Sequence, residues 1–489
     1  FLLLGTNGWP VDVAAYSDAA LDFTRFGGVT GPMAGVVFLL ALVGFGTKAG
    51  IVPLHVWLPE AHPAAPSHVS ALMSGVMIKT GIYGILRIFL VLGSPPPWWG
   101  WTVLIIGAAS GVIGVLFALA QHDVKRLLAY HSVENIGIIC IGIGVGMLGV
   151  SYDVPAVAVL GFAGAVLHVL NHALFKGLLF LGAGSVIESA GTREIDRLGG
   201  LLRRMPRTGI AFLVASIAIC GLPPLNGFVS ELLVFAGGLH AAAASLTSVA
   251  ASGAVAIAAM ALIGGLAAAC FAKAFGIVFL GEPRTPQAAA AHEQSRVMTV
   301  PMLVLAALCV AVGLLGALAV AAIVPIARVM AGLPSDAALP AVDRLVAVQW
   351  RVTIVAGALA AIIGGLALLR HLLLRGRKAE STVTWDCGYV KPTARMQYTA
   401  SSFAQPILSM FSAFMTPRRR MTRIESPFPS EASFSTETPD TFSQRIILPG
   451  IGKIADLLSR LRWLQHGRLQ LYVLYIAVTI VILFVWRLA

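Results

Sequence analysis

Ionisable side chains interrupt several apolar stretches of this sequence, and one group of three has a spacing that could support chemistry. His168, His172 and Lys176 recur every four residues in HVLNHALFK. Residues four apart lie on one face of a helix, so they predict a polar stripe about 12 Å long. Neutral imidazole both donates and accepts hydrogen bonds, and burial makes a lysine release its proton more readily. Such a stripe, bridged by water, is typical of a proton-conducting path.

Lone charged residues occur in other apolar stretches. Lys48 lies in FGTKAG ahead of Pro53, Lys79 lies in MSGVMIKTGIYG, Glu231 follows GLPPLNGFVS, and Lys273 lies in CFAKAF. An ionisable side chain at bilayer depth costs at least ~2.5–3.5 kcal/mol on insertion scales. These residues are therefore functional candidates, and Lys48, Lys79 and Glu231 join the stripe as predicted proton carriers.

Structural roles are the alternative for the same residues. A lysine near a helix end can extend its ammonium to the membrane interface. For Lys273 this role and a buried role are equally favoured, whereas for Lys48 and Lys79 the interface role is less favoured. Glu231 could form an ion pair with a lysine, and the two histidines could hydrogen-bond between helices. A transition-metal site is disfavoured because no carboxylate accompanies the histidines on that helix.

His131 and Glu134 lie in YHSVENIG, at the predicted beginning of a helix. A solvated pair at the helix start is the favoured interpretation. A proton entrance is the alternative, because imidazole exchanges protons with water near neutral pH.

Prolines predict two helix breaks. Pro53 interrupts one apolar stretch, and Pro223 and Pro224, with Gly221 and Gly227 beside them, interrupt another. Proline removes a backbone donor, and irregular backbone at membrane depth survives only where it lines a cavity or is packed by protein. Each break has an ionisable residue nearby, and paired broken helices are typical of transporter halves that meet at a binding site.

The composition identifies the elements that must position these residues. The chain is 58% hydrophobic and 11% charged, with a mean hydropathy of +0.87. Soluble proteins carry about 25% charged residues, so a soluble enzyme is excluded and an integral membrane protein is predicted. A bilayer core needs about 20 apolar residues per helix. Ten stretches qualify: 33–57, 69–93, 101–121, 127–150, 156–188, 208–238, 248–281, 298–331, 347–373 and 469–488.

The charge distribution predicts the orientation. The net charge is +12 and the pI is near 9.8. On one side of the membrane, the connections hold 23 Lys and Arg residues, against only Arg25 and Arg344 on the other. The positive-inside rule makes the first side cytoplasmic. The basic pI is therefore a topology signal, and nucleic-acid binding is excluded. The cytoplasmic connections are 58–68, 122–126, 189–207, 282–297 and 374–468.

The spans divide the chain into five predicted parts: an N-terminal segment 1–32, a seven-helix core 33–281, two further helices in 282–373, a cytoplasmic linker 374–468 and a last helix 469–488. The linker is rich in Ser, Thr and Pro and contains the run Arg418–Arg420. It is predicted to be poorly structured and to bind anionic lipid. Its stretch Ile454–Arg468 is predicted to be amphipathic and to lie along the membrane surface.

Motifs for cofactors do not emerge from the sequence. The five cysteines are far apart and form no CxxC pair, which disfavours iron–sulfur and zinc sites in this chain. Gly144, Gly146 and Gly149 spell GxGxxG inside an apolar helix, where no strand precedes them. They predict close helix packing and not a dinucleotide site.

Four segments carry a resemblance to a known family: GTKAGIVPLHVWLPEAHPAAPSHVSALMSG, DVKRLLAYHSVENIG, HVLNHALFKGLLFLGAGSV and GLPPLNGFVSELLVF. Over roughly residues 32–280 the chain resembles the antiporter-like proton-pumping subunits of respiratory complex I. YHSVENIG and the later WDCGYVKPTARMQYTASSFAQP most resemble the large membrane subunits (component B) of hydrogenase-4 and formate hydrogenlyase complexes.

The resemblance implies an all-α polytopic transmembrane helix bundle with inverted five-helix repeats and broken helices. It implies that Lys48 and Lys79 are the lysines of the first broken helix and the next helix. The stripe matches the family's connecting wire, and Glu231 matches the terminal residue of the second broken helix. The family's glutamate partner of Lys48 would lie on a helix before Phe1, so the chain is expected to be incomplete at its N-terminus.

The leading hypothesis is a proton-translocating membrane subunit of a hydrogenase-type or complex-I-like oxidoreductase in a bacterial inner membrane. Its partners would be membrane and peripheral subunits and the lipid bilayer. Nickel–iron and iron–sulfur centres would lie in those partners, with no cofactor in this chain. The alternatives are a monovalent cation/proton antiporter subunit without a redox partner and a structural anchor for peripheral subunits.

Overall fold

The computed structural model describes residues 31–334, 337–377, 393–412, 415, 417–422, 433–460, 467 and 469–488. The chain divides into two compact units, with the boundary between Thr438 and Pro439. The predicted segment 1–32 and most of the WDCGYVKP stretch lie outside the described residues.

The first broken helix is formed as the prolines predict. Helix α1 (Gly31–Ala49) ends at Gly50, whose φ of +83° favours glycine. A 3₁₀ turn (Leu54–Trp57) and helix α2 (Leu58–Ala64) then continue the chain. Helix α3 (Ser67–Leu92) follows and contains a π-helical turn at Met73–Met77.

Three long helices form the centre of the first unit: α4 (Pro97–Leu119), α5 (Val124–Ser151) and α6 (Pro155–Ala190). Asp123 caps α5 by accepting hydrogen bonds from the backbone N–H groups of Lys125 and Arg126. Almost every residue of α5 is buried, so this helix has no solvent-facing or lipid-facing side.

The glycines of the GxGxxG stretch pack α5 against its neighbours, as predicted. A Cβ atom on Gly144 would lie 2.6 Å from the backbone nitrogen of Leu104, and one on Gly149 would lie 2.3 Å from that of Ala158. Only glycine permits helix backbones to approach this closely.

The second broken helix consists of α7 (Pro206–Ile219) and α8 (Asn226–Ala242), followed by the long helix α9 (Thr247–Phe279). The predicted single span 208–238 is therefore two shorter helices with the double proline between them. Gly221 has a φ of +61° in this break. Short helical segments (Ile195–Arg197 and Leu201–Arg204) connect α6 to α7.

After α9, the short helix Pro286–Ala290 leads to α10 (Arg296–Leu314), α11 (Gly316–Met330) and α12 (Pro340–Leu374). The predicted span 298–331 is thus divided at Leu315. The apolar middle of α12 is exposed throughout the described structure, which suits contact with lipid or another subunit.

The described part of the predicted linker is folded, so the prediction of a poorly structured segment is wrong there. A 3₁₀ turn (Ala394–Met396) precedes helix α13 (Ala400–Met410). Strands β1 (Arg418–Met421) and β2 (Phe434–Glu437) pair antiparallel, with Arg418 opposite Glu437. The Gln397 side chain accepts from the backbone N–H of Glu282 and donates to its carbonyl oxygen. These bonds, and one between Thr436 and His122, attach this segment to the helix bundle.

The second unit contains a π-helical turn (Ser443–Ile447), α14 (Leu448–Ser459) and α15 (Leu469–Leu488). The predicted amphipathic stretch overlaps α14, and its residues 461–466 and 468 lie outside the described structure.

The predicted fold class is confirmed as an all-α polytopic membrane bundle. Within the described residues, nine helices are long and apolar enough to cross a membrane. They account for nine of the ten predicted spans, and the broken helix α7–α8 accounts for the tenth.

Candidate functional site

The stripe on α6 lies wholly in the interior. His168, His172 and Lys176 have no exposed surface. The two imidazole rings are nearly parallel, with centroids 6.4 Å apart. Lys176 Nζ donates a hydrogen bond of 2.5 Å to the carbonyl oxygen of Leu128 on α5 and lies 5.6 Å from the ring centroid of Phe180.

His168 connects three helices. Its Nε2 lies 3.1 Å from Asn135 Oδ1 on α5, and its Nδ1 lies 2.9 Å from Ser230 Oγ on α8. Asn135 Nδ2 donates to the carbonyl oxygen of His131, which leaves its Oδ1 as the acceptor facing the imidazole. A neutral His168 therefore carries its proton on Nε2. Its Nδ1 shares the Ser230 hydroxyl with the carbonyl oxygen of Gly227, which lies 3.0 Å from Ser230 Oγ.

Asn171 holds the first turn of α8 against the stripe. Its Nδ2 donates to the carbonyl oxygen of Asn226 at 2.7 Å and to Ser230 Oγ at 2.9 Å. Ser230 directly precedes Glu231, so these bonds fix the backbone that carries the carboxylate.

Glu231 is buried inside the second helix break. A Cβ atom on Gly221 would lie 2.2 Å from Glu231 Oε2, which means that the carboxylate lies directly against the bare glycine. Within the described residues, no Lys or Arg forms an ion pair with Glu231, so the predicted ion-pair alternative has no partner there.

Lys79 lies at the other end of the buried set, on α3. Its Nζ donates to the carbonyl oxygen of Ser74 in the π-helical turn. Ser74 Oγ lies 2.8 Å from Ser132 Oγ on α5, and Ser132 Oγ also bonds the carbonyl oxygen of Leu128 at 3.2 Å. Leu128 is also the acceptor for Lys176, so hydrogen bonds link the surroundings of both lysines.

His131 and Glu134 are fully enclosed, so the prediction of a solvated pair is wrong. Helix α5 begins a turn earlier than predicted, and other helices cover the pair. His131 Nδ1 hydrogen-bonds Glu134 Oε2, which also accepts from Asn135 Nδ2 at 3.2 Å. Neither side chain reaches the surface, so solvent does not contact this pair directly.

Several buried polar atoms have no hydrogen-bond partner among the described residues. Both ring nitrogens of His172 and of His62 are in this state, as are His131 Nε2 and Glu134 Oε1. His62 stacks on Phe180 at 4.7 Å between ring centroids, on the ring that Lys176 also faces. Buried polar atoms that lack protein partners are usually hydrated, so these positions suit internal water.

Two predicted residues lie apart from this network. Lys48 is in the last turn of α1 and is exposed. Lys273 is buried on α9, and its Nζ donates to the carbonyl oxygens of Leu119 at 2.6 Å and Gln121 at 2.9 Å. Its ammonium therefore binds the end of α4 and is buried there, which favours the buried role over extension to the interface.

The loops of the basic side, 122–126, 189–207 and 282–297, contain a second polar cluster. Asp196 accepts hydrogen bonds from His122 Nδ1 and from the backbone N–H of Ala400, each at 2.7 Å. Burial alone raises the pKa of the Asp196 carboxyl. These hydrogen bonds, with the nearby charges of His122 and Arg284, outweigh burial and hold the pKa below its ordinary value.

Sequence reasoning missed the neutral residues that join the predicted ones: Ser74, Ser132, Asn135, Asn171, Asn226 and Ser230. A local signal existed for two of them. Asn135 is four residues after His131, and Asn171 is three after His168, so each shares a helix face with a predicted residue.

Among the residues that the structure describes, no three His, Cys, Asp or Glu side chains are grouped to hold a metal ion. Cys140, Cys220, Cys270 and Cys309 are buried, free and separate, whereas Cys387 lies outside the described residues.

A bundle of apolar helices with two interior breaks and buried Lys, His and Glu side chains has the architecture of an ion-translocating membrane protein. The family model described as "NADH:quinone oxidoreductase/Mrp antiporter, TM" matches residues 2–258, and the chain belongs to this family.

Two relatives and one solved structure are similar to the chain. Hydrogenase-4 component B of Escherichia coli K12 is 39% identical over 99% of this chain and 72% of that protein. Formate hydrogenlyase subunit 3 of the same strain is 38% identical over 79% of this chain and 62% of that protein. A chain in the structure of a membrane-bound sulfane sulfur reductase, an archaeal respiratory membrane complex, has a similar fold. The match covers 99% of this chain and 73% of that chain, with a TM-score of 0.64 and 23% sequence identity.

Proposed function

We propose that this chain is the proton-translocating membrane subunit of a hydrogenase-4/formate hydrogenlyase-type or complex-I-like oxidoreductase complex. The observation that carries the proposal is the buried set of Lys79, Lys176, His172 and His168, which reaches Ser230 beside Glu231 in a broken helix. Protein hydrogen bonds connect its Lys79–Lys176 part and its His168–Ser230 part, and His172 lies between the two parts without a protein partner. The family and the relatives named for hydrogenase-4 and formate hydrogenlyase support the type of complex.

In the proposed mechanism, electron transfer in partner subunits changes the electrostatic potential at one end of the buried set. Protonation then shifts in sequence through Lys48, Lys79, Lys176 and Glu231, with His168 and His172 in between. Unpaired nitrogens on His172 suit a water-bridged step at that residue. Nickel–iron and iron–sulfur centres are assigned to the partners, and this chain supplies only proton transfer.

Orientation is part of the proposal. The basic side is assigned to the cytoplasm of a bacterial inner membrane, because its connections carry 23 Lys and Arg residues and those of the other side carry two. The segment with α13 and the β-hairpin then faces the cytoplasm, where peripheral subunits could contact it. Labelling of cysteines introduced at exposed positions of this segment, in intact cells and in inverted vesicles, tests the orientation.

The test of proton transfer uses Lys176→Ala and Glu231→Gln in the full complex reconstituted in vesicles. Both variants are expected to assemble and to retain electron transfer, while proton uptake per electron falls sharply. His168→Ala is expected to be milder, because water or His172 can bridge its gap. Glu188→Gln, at an exposed carboxylate on the same helix α6, is the control and should pump normally.

Two outcomes separate the hypotheses. Unchanged pumping in both Lys176→Ala and Glu231→Gln contradicts proton transfer through these residues. Structural roles predict the reverse pattern, in which assembly is lost and the remaining complex pumps normally. Purification without nickel, iron and redox subunits favours the alternative, a cation/proton antiporter subunit.

A further inference from the structure

Two buried lysines on different helices bond backbone carbonyls that flank a pair of serine hydroxyls. Lys79 Nζ bonds the carbonyl oxygen of Ser74, whose Oγ lies 2.8 Å from Ser132 Oγ. Ser132 Oγ and Lys176 Nζ both bond the carbonyl oxygen of Leu128, at 3.2 Å and 2.5 Å. Both serines are fully buried.

Buried hydroxyls also pair elsewhere, as Ser185 does with Thr208 at 3.0 Å, so the distinguishing feature of the Ser74–Ser132 pair is a lysine-binding carbonyl on each side. A buried helical serine satisfies its hydroxyl by bonding a carbonyl three or four residues earlier, as Ser252 does with Val249 at 2.7 Å. Ser132 has such a bond to Leu128, yet its oxygen also pairs with Ser74 across the helix interface, where either oxygen can be the donor. A reversible hydroxyl pair can accept a proton on one side and release one on the other.

The pair also leads in a different direction from the stripe. On α6, the stripe runs from Lys176 to His168 and then to Ser230 on α8. The hydroxyl pair instead runs from Lys176 toward α3 and Lys79. The two routes meet at Lys176, so this lysine lies between the hydroxyl pair and the histidines of the stripe.

We propose that Ser74 and Ser132 relay a proton between Lys79 and Lys176, an inference that rests on the proposed function. The Lys79 ammonium turns from the Ser74 carbonyl and gives a proton to Ser74 Oγ. Ser74 passes its own hydroxyl proton to Ser132 Oγ, and Ser132 passes its hydroxyl proton to the lone pair of neutral Lys176. Lys79 ends as an amine and Lys176 as an ammonium, while both serines remain neutral hydroxyls.

A backbone carbonyl binds the lysine ammonium both before and after the proton transfer. Ser74 O binds the Lys79 ammonium before the transfer, and Leu128 O binds the Lys176 ammonium after it. A carbonyl stabilises a cation but does not take its proton at neutral pH. The hydroxyl pair is therefore the part of this bridge that can carry the proton.

The experiment compares Ser132→Thr with Ser132→Val in vesicles that contain the full complex. Threonine and valine have nearly the same shape, so the two variants share any cost of added bulk and differ in the hydroxyl. Ser132→Val is expected to slow proton uptake at least about tenfold relative to Ser132→Thr, which corresponds to about 1.4 kcal/mol. Ser252→Thr and Ser252→Val form the control pair and should not differ in proton uptake.

Lys176→Ala, measured in parallel, separates failure of the relay from failure of the proposed function. If Lys176→Ala stops pumping while Ser132→Thr and Ser132→Val pump alike, the relay is wrong and the proposed function stands. If Lys176→Ala pumps normally, the relay fails, and the proposed function fails with it when Glu231→Gln also pumps normally. Should either Ser132 variant not assemble, Ser74→Thr and Ser74→Ala replace the pair, and equal pumping in those two overturns the relay.

Discussion

The close approach of Gly221 to Glu231 allows a test of how precisely the Glu231 carboxylate must be positioned for proton pumping. The glycine has a φ of +61°, and a Cβ atom there would lie 2.2 Å from Oε2 and 2.6 Å from Cδ of Glu231. Because atoms in contact need more than 3 Å, Gly221→Ala must displace the carboxylate by about 1 Å. The left-handed backbone itself costs a non-glycine residue roughly 1–2 kcal/mol.

The expected result is a complex that assembles with slightly lower stability but pumps poorly. A misplacement of about 1 Å can slow a reaction about 100-fold, so pumping per electron should approach that of Glu231→Gln. Proton uptake and electron transfer are measured together in vesicles, and thermal stability is measured in detergent.

Gly191 supplies the matched control. Its φ is +65°, close to that of Gly221, yet nothing lies within 4 Å of an added Cβ. Gly191→Ala therefore has the same backbone cost without touching an ionisable residue. Equal pumping by Gly191→Ala and Gly221→Ala would refute the reasoning. A shared defect would come from the backbone, and normal pumping in both would show that displacing the Glu231 carboxylate has no effect.

Two further predictions concern the basic side. Lys273→Met removes the ammonium that binds the end of α4, so the complex should unfold at a lower temperature. Lys273→Arg retains hydrogen-bond donors, so its unfolding temperature should be closer to that of the unchanged protein. Calorimetry in detergent measures both temperatures. The folded state lowers the pKa of Asp196, so its contribution to holding α13 is complete above about pH 4 and is lost as the pH falls through the lowered value. Proteolysis within residues 393–412 should therefore increase only in acid, and in Asp196→Asn it should be high at every pH.

The sequence was informative where the relevant spacing is local. Helix breaks at Pro53 and Pro223 follow from the covalent structure of proline, and the row of His168, His172 and Lys176 follows from the helix repeat. Neither feature depends on which helix packs beside which. Both were therefore predictable from short segments, and the structure contains both.

The sequence failed where partners come from distant segments. Ser74 and Ser132 are 58 residues apart, and His168 and Ser230 are 62 apart, so only tertiary packing joins them. Serine and asparagine are also common in membrane helices for packing, so residue type alone does not identify a relay.

His131 and Glu134 show a second limit. A helix start normally faces solvent, and that expectation holds when one side of the helix is open. Helix α5 is enclosed on all sides, and a helix that is apolar all round has no periodic pattern to reveal its environment. The folded segment around α13 was missed for a related reason, since its attachment depends on single polar contacts such as Asp196 with Ala400.

The buried lysines share a feature that bears on how charge can move in this interior. Among the described contacts, the ammonium groups of Lys79, Lys176 and Lys273 donate to backbone carbonyl oxygens and not to carboxylates. A carboxylate in direct contact stabilises the charged lysine strongly and opposes loss of its proton. A carbonyl dipole lowers the cost of the charge without a full opposite charge, so the protonated and neutral forms remain closer in free energy. A residue that must alternate between those forms needs that balance, and the second partner of a relay, here a serine or a water, then decides when the proton leaves.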